Sequence, residues 1–131
     1  MRIRRLVSHF MKTILLAEDD SFIVDIYANQ LKKAGYQVEI ATDGDAVLEK
    51  IQNHIPDLLL LDIGLPKKDG WEVMRELRGD PKTENLKVMV ISNMNKENYA
   101  DDIAHFNIIK YFVKIETTVE EIITAVKELL T

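Results

Sequence analysis

Short apolar runs alternate with longer amphipathic segments along most of the chain. The apolar runs are residues 14–17, 38–41, 58–61, 88–91 and 111–113. The first, third and fourth runs are apolar at every position, which is typical of strands buried on both faces of a parallel sheet. In the second run Val38 and Ile40 alternate with Gln37 and Glu39, a pattern that indicates an edge strand.

The segments that follow the apolar runs carry apolar residues at helical spacing. The stripes are Val24, Tyr27, Ala28 and Leu31; Val47, Leu48, Ile51 and Ile55; Val73, Met74 and Leu77; Tyr99, Ala100, Ile103 and Phe106; and Val119, Ile122, Ile123, Val126 and Leu130. Gly35 is predicted to end the first helix, because glycine readily adopts the left-handed conformation found after many helices. Thr118 and Glu121 form a capping-box pair at the start of the last helix. The predicted order is therefore a strand followed by a helix, five times over.

This order predicts one α/β domain of the flavodoxin-like, doubly wound (βα)5 type. Short strand–helix repeats favour a five-stranded parallel sheet with helices on both faces, and the expected strand order is 2-1-3-4-5. Met11 begins a stretch that looks like a natural start. We therefore expect residues 1–10 to be an N-terminal extension, either disordered or an added helix or arm, and residues 11–131 to be the domain.

Composition excludes several classes of protein. The 131 residues contain no cysteine, so disulfide scaffolds, cysteine-ligated metals and thiol catalysis are ruled out. The formal net charge is −5, although Arg2, Arg4 and Arg5 stand near the start without a neighbouring acid, so the rest is more acidic still. This balance argues against direct nucleic-acid binding. No stretch approaches the ~18 apolar residues of a membrane span, and no signal peptide is recognisable, which predicts a cytoplasmic protein without membrane insertion.

Polar side chains follow four of the five predicted strands. They are Glu18, Asp19 and Asp20 after the first, Asp62 after the third, Ser92 after the fourth and Lys114 after the fifth. Asp20 or Ser21 is interpreted as a helix N-cap. Because the carboxyl ends of parallel strands meet at one edge of such a sheet, we expect the other side chains to lie together there.

Carboxylates packed together repel one another, and a divalent cation relieves that repulsion. With oxygen ligands alone and no EF-hand spacing, Mg²⁺ is the expected ion. A carboxylate such as Asp62 beside Mg²⁺ can attack phosphorus and form an acyl phosphate. Lys114 would then neutralise the phosphoryl oxygens, and the Ser92 hydroxyl would hydrogen-bond one of them.

These residues resemble the receiver domain of bacterial two-component response regulators, in the stand-alone form that chemotaxis regulators represent. The resemblance extends over residues 12–130 and rests on the segments ILLAEDD, PDLLLLDIGLPKKDGWEV, VMVISN and YFVK, in that order. It implies that Asp62 accepts the phosphoryl group, with Lys114 and Ser92 contacting that group. It also implies that Asp19 binds Mg²⁺ directly and Glu18 through water.

The resemblance assigns two further roles and a set of partners. The backbone carbonyl of Gly64 would be another metal ligand, and Tyr111 would be the aromatic residue that changes rotamer when Ser92 moves. A sensor histidine kinase or a phosphotransfer protein would supply the phosphoryl group. A downstream protein or a second copy of the chain would bind the face formed by the fourth helix, fifth strand and fifth helix. Self-phosphorylation from a phosphodonor and slow self-dephosphorylation would be the only chemistry, so an enzyme with an external substrate is not expected.

Three positions depart from the family's usual pattern, and two more affect how long the phosphoryl group would last. Ile115 stands where proline usually follows the lysine, which predicts a trans peptide and a differently placed loop, since a cis bond before a non-proline costs ~2.5–4 kcal/mol. Asn93 is bulkier than the usual alanine or glycine. Asn107 replaces a glycine, and asparagine tolerates the left-handed conformation next best. Gly64 and Met94 offer no side chain to orient an attacking water, so slow loss of the phosphoryl group is expected.

Other functions are weighed against this one. A degenerate receiver that binds partners without phosphorylation would explain Ile115 and Asn93, but it leaves the intact acidic pair, Asp62, Ser92 and Lys114 unexplained. A Mg²⁺-dependent phosphohydrolase normally needs a second carboxylate where Gly64 stands. A flavin carrier would need a phosphate-binding loop after the first strand. Lys67 and Lys68 are interpreted as a pair of charged residues exposed to solvent.

Overall fold

The structure, a computed structural model, describes residues 11–131; the predicted extension of residues 1–10 lies outside the described residues. The strands are β1 (Thr13–Ala17), β2 (Gln37–Ala41), β3 (Leu58–Asp62), β4 (Val88–Ser92) and β5 (Lys110–Val113). The α-helices are α1 (Ser21–Lys33), α2 (Gly44–Asn53), α3 (Gly70–Arg78), α4 (Ala100–His105) and α5 (Val119–Leu130). Two 3₁₀ turns, Lys96–Tyr99 and Lys114–Glu116, lie before α4 and after β5.

All five strands pair in parallel, in the order β2-β1-β3-β4-β5. This is the predicted doubly wound order, so the fold class is confirmed. The order reverses between β1 and β3, and a crevice is expected outside the carboxyl ends of the strands at such a reversal. Glu18 follows β1, and Asp62 is the last residue of β3.

Helices cover both faces of the sheet. The cluster on one face joins α1 and α5 to Leu58 and Leu60 of β3, whereas the cluster on the other joins α2 and α3 to Leu59 and Leu61. Each of these four leucines is fully buried, and burying one is worth about 1.5–3 kcal/mol. Burial on both faces fixes the register of β3, and with it the position of the residue that ends the strand.

The predicted helix ends are largely confirmed. Asp20 is the N-cap of α1, and its carboxylate accepts the amides of Phe22 and Ile23. Gly35 has a φ of 101° and donates its N–H to the Lys32 carbonyl, which closes the helix with a left-handed turn. At the start of α5 the Thr118 hydroxyl accepts the Glu121 amide.

Some boundaries differ from the sequence pattern. β1, β2 and β5 each begin one residue earlier than predicted, and β3 and β4 each end one residue later. Ile55 was expected on the stripe of α2, but that helix ends at Asn53 and Ile55 is 46% exposed. The following Pro56 disfavours helical geometry at Ile55, which explains the early end. Asn107 has a φ of 54°, as predicted for the residue in the glycine position. None of the helices in residues 11–131 has the length and apolarity to span a membrane.

Candidate functional site

Asp62 lies at the carboxyl end of the central strand with its side chain nearly buried. One carboxylate oxygen, Oδ1, accepts the backbone N–H of Gly64 at 3.0 Å. The other, Oδ2, lies 3.2 Å from the Lys114 ammonium. The residue is 8% exposed, so one side of the carboxylate is held by the protein and a small open part faces outward.

Glu18 is the most deeply buried acidic residue of this edge, with 2% of its surface exposed. Its amide donates to the Ala41 carbonyl at 3.0 Å, which extends the β1–β2 pairing by one residue. Its Oε2 accepts the Asp20 amide at 3.1 Å, and its Oε1 lies 2.6 Å from Lys114 Nζ. Asp19 and Asp20 are both exposed, but the Asp20 carboxylate caps α1, so Asp19 is the exposed acid of this turn that is not used as a cap.

Three carboxylates converge at this edge, as the strand ends predict. Oxygens of Glu18, Asp19 and Asp62 all lie within 4.8 Å of one another. Lys114 contributes one positive charge against three negative charges, and a divalent cation would offset the remainder. Hard oxygen donors with an exposed member fit Mg²⁺, which binds through one or two carboxylates and keeps several waters.

Lys114 bridges the two buried carboxylates from the end of β5. Its side chain is 13% exposed, and the Glu18 and Asp62 side chains are 3% and 10% exposed. Burial alone would lower the pKa of the Lys114 ammonium, but the hydrogen bond to Glu18 and the charge of Asp62 outweigh burial, and its pKa is raised. Burial raises the pKa of the Glu18 carboxyl, against the opposing hydrogen bonds from Lys114 and the Asp20 amide.

The peptide between Lys114 and Ile115 is trans, as expected without proline, because residues 11–131 contain no cis peptide bond. The loop nevertheless brings the ammonium to Asp62. Ile115 itself is 83% exposed.

Ser92 and Tyr111 lie on neighbouring strands beside the acidic edge. Ser92 ends β4 and is 2% exposed, and its Oγ accepts the Met94 amide at 3.1 Å. Tyr111 on β5 is 7% exposed, and its hydroxyl donates to the Met94 carbonyl at 3.0 Å. Burial is the main reason that the pKa of Tyr111 is raised, so the phenol stays protonated and can donate.

Ion pairs hold the loop after β3 in a way that the sequence pattern does not predict. Lys67 and Lys68 were interpreted as solvated, yet each makes ion pairs despite its exposure. Lys67 lies 3.5 Å from Asp43, while Lys68 lies 2.9 Å from Glu76 and 3.8 Å from Asp45. The sequence feature that could have indicated these ion pairs is the pair of acids on either side of Gly44, Asp43 and Asp45, at the junction of β2 and α2.

Comparison with known proteins gives one consistent result. The sequence model of the response regulator receiver domain matches residues 14–127. The alkaline phosphatase synthesis transcriptional regulatory protein PhoP of Bacillus subtilis is 43% identical over 67 residues, which are 51% of this chain and 28% of that protein. The chain therefore spans less than a third of that curated relative.

Solved structures extend the likeness to nearly the whole chain. A CheY-like response regulator receiver domain protein from Methanospirillum hungatei has a TM-score of 0.83 at 27% identity, covering 92% of this chain and 94% of that one. The phosphorylated cyanobacterial phytochrome response regulator RcpA has a TM-score of 0.76 at 26% identity, covering 91% of each chain.

Proposed function

The chain belongs to the response regulator receiver family, and we propose that it accepts a phosphoryl group on Asp62 and signals by phosphorylation-dependent contact with another protein. Receiver domains are signalling modules rather than enzymes with an external substrate. The observation that carries the proposal is the position of Asp62, held by Lys114 on one oxygen and the Gly64 amide on the other, beside Glu18 and Asp19.

The residues around Asp62 support a direct transfer. A carboxylate oxygen forms the bond to phosphorus while the bond from phosphorus to a histidine nitrogen of the donor breaks, and the imidazole leaving group takes up a proton. The Gly64 amide orients the carboxylate. The Lys114 ammonium already lies at hydrogen-bond distance and neutralises charge on the transferred group.

Asp19, Asp62 and the Gly64 carbonyl would hold Mg²⁺, with Glu18 contributing through water. When bound, the ion supplies positive charge that offsets the carboxylates and the phosphoryl oxygens. Glu18 is assigned the water-mediated role because it is the most deeply buried of the three acids, at 2% exposed, and its carboxylate already accepts hydrogen bonds from Lys114 and the Asp20 amide.

In this proposal, Ser92 and Tyr111 transmit the phosphorylation of Asp62 to the surface that binds a partner. Ser92 turns to donate its hydroxyl to the phosphoryl group, Tyr111 follows, and the face formed by α4, β5 and α5 changes. A groove of about 520 Å³ lies next to this face, between β5 and the loops around Asn93 and Ile115, and supports the face as the place where a target or a second copy binds. We place the protein in the cytoplasm, with a sensor histidine kinase or phosphotransfer protein as donor and without direct nucleic-acid contact.

Intact-protein mass spectrometry tests the proposal. The chain is incubated with acetyl phosphate, with and without Mg²⁺, beside Asp62→Asn and the matched control Asp25→Asn, which changes an exposed residue of α1. We expect one phosphoryl addition to the natural chain and to Asp25→Asn in Mg²⁺, and none to Asp62→Asn. No addition to the natural chain would favour the degenerate receiver instead.

Met94→Glu is expected to speed loss of the phosphoryl group by roughly tenfold, because a carboxylate at this position can orient an attacking water. Met94 is 42% exposed at the mouth of the site, so a charged side chain is tolerated there. The decay of phosphorylated protein after donor removal is followed by intact mass. Met94→Leu, which has no group to orient water, serves as control. Equal decay rates for Met94→Glu and the natural chain would contradict the prediction.

A further inference from the structure

Met94 is held by hydrogen bonds from three directions. Its N–H donates to Ser92 Oγ at 3.1 Å, and its carbonyl oxygen accepts the Tyr111 hydroxyl at 3.0 Å. Its thioether sulfur accepts the Tyr99 hydroxyl at 3.2 Å. One exposed loop residue thus joins the end of β4, the middle of β5 and the turn that leads into α4.

Tyr99 continues this connection into an aromatic stack. Its ring lies 5.2 Å from that of Trp71 at an interplanar angle of 29°. The Trp71 ring in turn lies 6.1 Å from that of Phe106 at 21°. Trp71 is the second residue of α3, and Phe106 follows α4. The stack therefore joins α3 and α4 to the loop that contains Met94.

Trp71 carries an unsatisfied donor in this arrangement. Its indole Nε1 is fully buried and is the one side-chain nitrogen or oxygen atom of residues 11–131 that is buried without a hydrogen-bond partner. A buried donor without a partner raises the free energy of the arrangement that contains it. A displacement of Tyr99 that admitted water or a carbonyl to Nε1 would remove this penalty.

We propose that Met94 and Tyr99 are positioning residues that couple Ser92 to Trp71, so that phosphorylation is registered on the α3–α4 side of the domain as well. This inference rests on the proposed function. Ser92 Oγ must turn from the Met94 amide to donate to a phosphoryl group on Asp62, which releases one of the three bonds on Met94. Residues 93–98 are all exposed, so no packed core resists their movement. Tyr99 moves with Met94, and the stacked Trp71 changes its surroundings.

The test measures phosphorylation and the Trp71 environment separately in the full chain. Acetyl phosphate and Mg²⁺ supply the phosphoryl group, intact mass gives its occupancy, and acrylamide quenching reports on Trp71, the single tryptophan of the chain. Tyr99→Phe keeps the stacked ring and removes the hydroxyl. At equal occupancy we expect Tyr99→Phe to shift the ratio of the two Trp71 environments by about two- to tenfold, the effect of losing one hydrogen bond.

A double-mutant cycle separates coupling from packing. Met94→Leu removes the sulfur acceptor at similar volume, so the double variant with Tyr99→Phe should respond like either single variant, whereas independent effects would add. Tyr36 is half-buried on the other face of the sheet, against the cluster that includes α1 and α5. The control variant Tyr36→Phe should therefore respond like the natural chain. Additive effects, or a loss of response in Tyr36→Phe, would overturn the coupling.

The outcomes also separate this inference from the proposed function. Phosphoryl addition to Asp62 with unchanged quenching of Trp71 would overturn the coupling alone. Absence of phosphoryl addition to the natural chain would overturn the proposed function, and the coupling with it. Thermal unfolding of each variant, with a midpoint equal to that of the natural chain, shows that it is folded.

Discussion

Replacing Lys114 by methionine is expected to lower the rate of phosphoryl addition to Asp62 by about 10²–10³-fold, the usual effect of removing one preorganised donor from developing negative charge. The ammonium lies 3.2 Å from Asp62 Oδ2 and 2.6 Å from Glu18 Oε1. Methionine keeps most of the apolar stem, so the lost quantity is charge rather than packing. The rate is measured by intact mass with acetyl phosphate and Mg²⁺.

The same variant should also be less stable. In Mg²⁺-free buffer, the Glu18 and Asp62 carboxylates would remain buried with no ammonium between them. Breaking a buried ion pair by removing one partner costs about 3–5 kcal/mol, and these side chains are too little exposed for solvent to screen the charges fully. Urea denaturation of the variant and of the natural chain measures the difference in free energy of unfolding.

Lys110→Met is the matched control for both measurements. Lys110 begins β5, the strand that Lys114 follows, and it is exposed at the end of that strand away from the carboxylates. We expect little change in rate or stability for this control. The assigned role of Lys114 would be wrong if Asp62 in Lys114→Met were phosphorylated at the rate of the natural chain. It would also be wrong if Lys110→Met lowered the rate and the free energy of unfolding as much as Lys114→Met does.

The sequence predicts the fold and the approach of the acidic side chains for the same physical reason. Runs such as residues 58–61 are apolar on both faces, which indicates central parallel strands, and parallel strands end at one edge. The residues that follow those runs therefore come close together independently of the conformation of the loops. Glu18, Asp62 and Lys114 are placed by strand ends, and their proximity follows from topology alone.

Contacts that depend on loop conformation do not follow from the sequence pattern. The bonds of Met94 to Tyr99 and Tyr111 need a particular path for residues 93–98, which carry no periodic signal. Lys67 has a φ of 68°, an unusual conformation for a residue other than glycine, and this directs the loop toward Asp43. The end of α2 before Ile55 likewise depends on local backbone sterics at a proline rather than on hydrophobic spacing.

The loop after β3 is held at both ends by backbone contacts with little free space. The Gly44 amide donates to the Pro66 carbonyl at 3.1 Å, and the Gly70 amide donates to the Ile63 carbonyl at 2.8 Å. Gly64 lies in the chain between Ile63 and Pro66, and its N–H donates to the Asp62 carboxylate. The loop that orients the Asp62 carboxylate is thus seated directly on the first turn of α2, so a change in α2 can reach the site.

Gly44→Ala is expected to lower the free energy of unfolding by about 3 kcal/mol, at the upper end of what overpacking usually costs. A β-carbon at Gly44 would overlap the Lys68 carbonyl oxygen and lie 2.8 Å from its carbonyl carbon, and backbone atoms cannot rotate away as a flexible side chain can. The loop must therefore shift, and the rate of phosphorylation of Asp62 should fall with stability. Gly64→Ala is the control for stability, because its added β-carbon would meet nothing closer than 3.8 Å. Urea denaturation measures both variants, and equal stability losses would show that the close contact at Gly44 does not hold the loop.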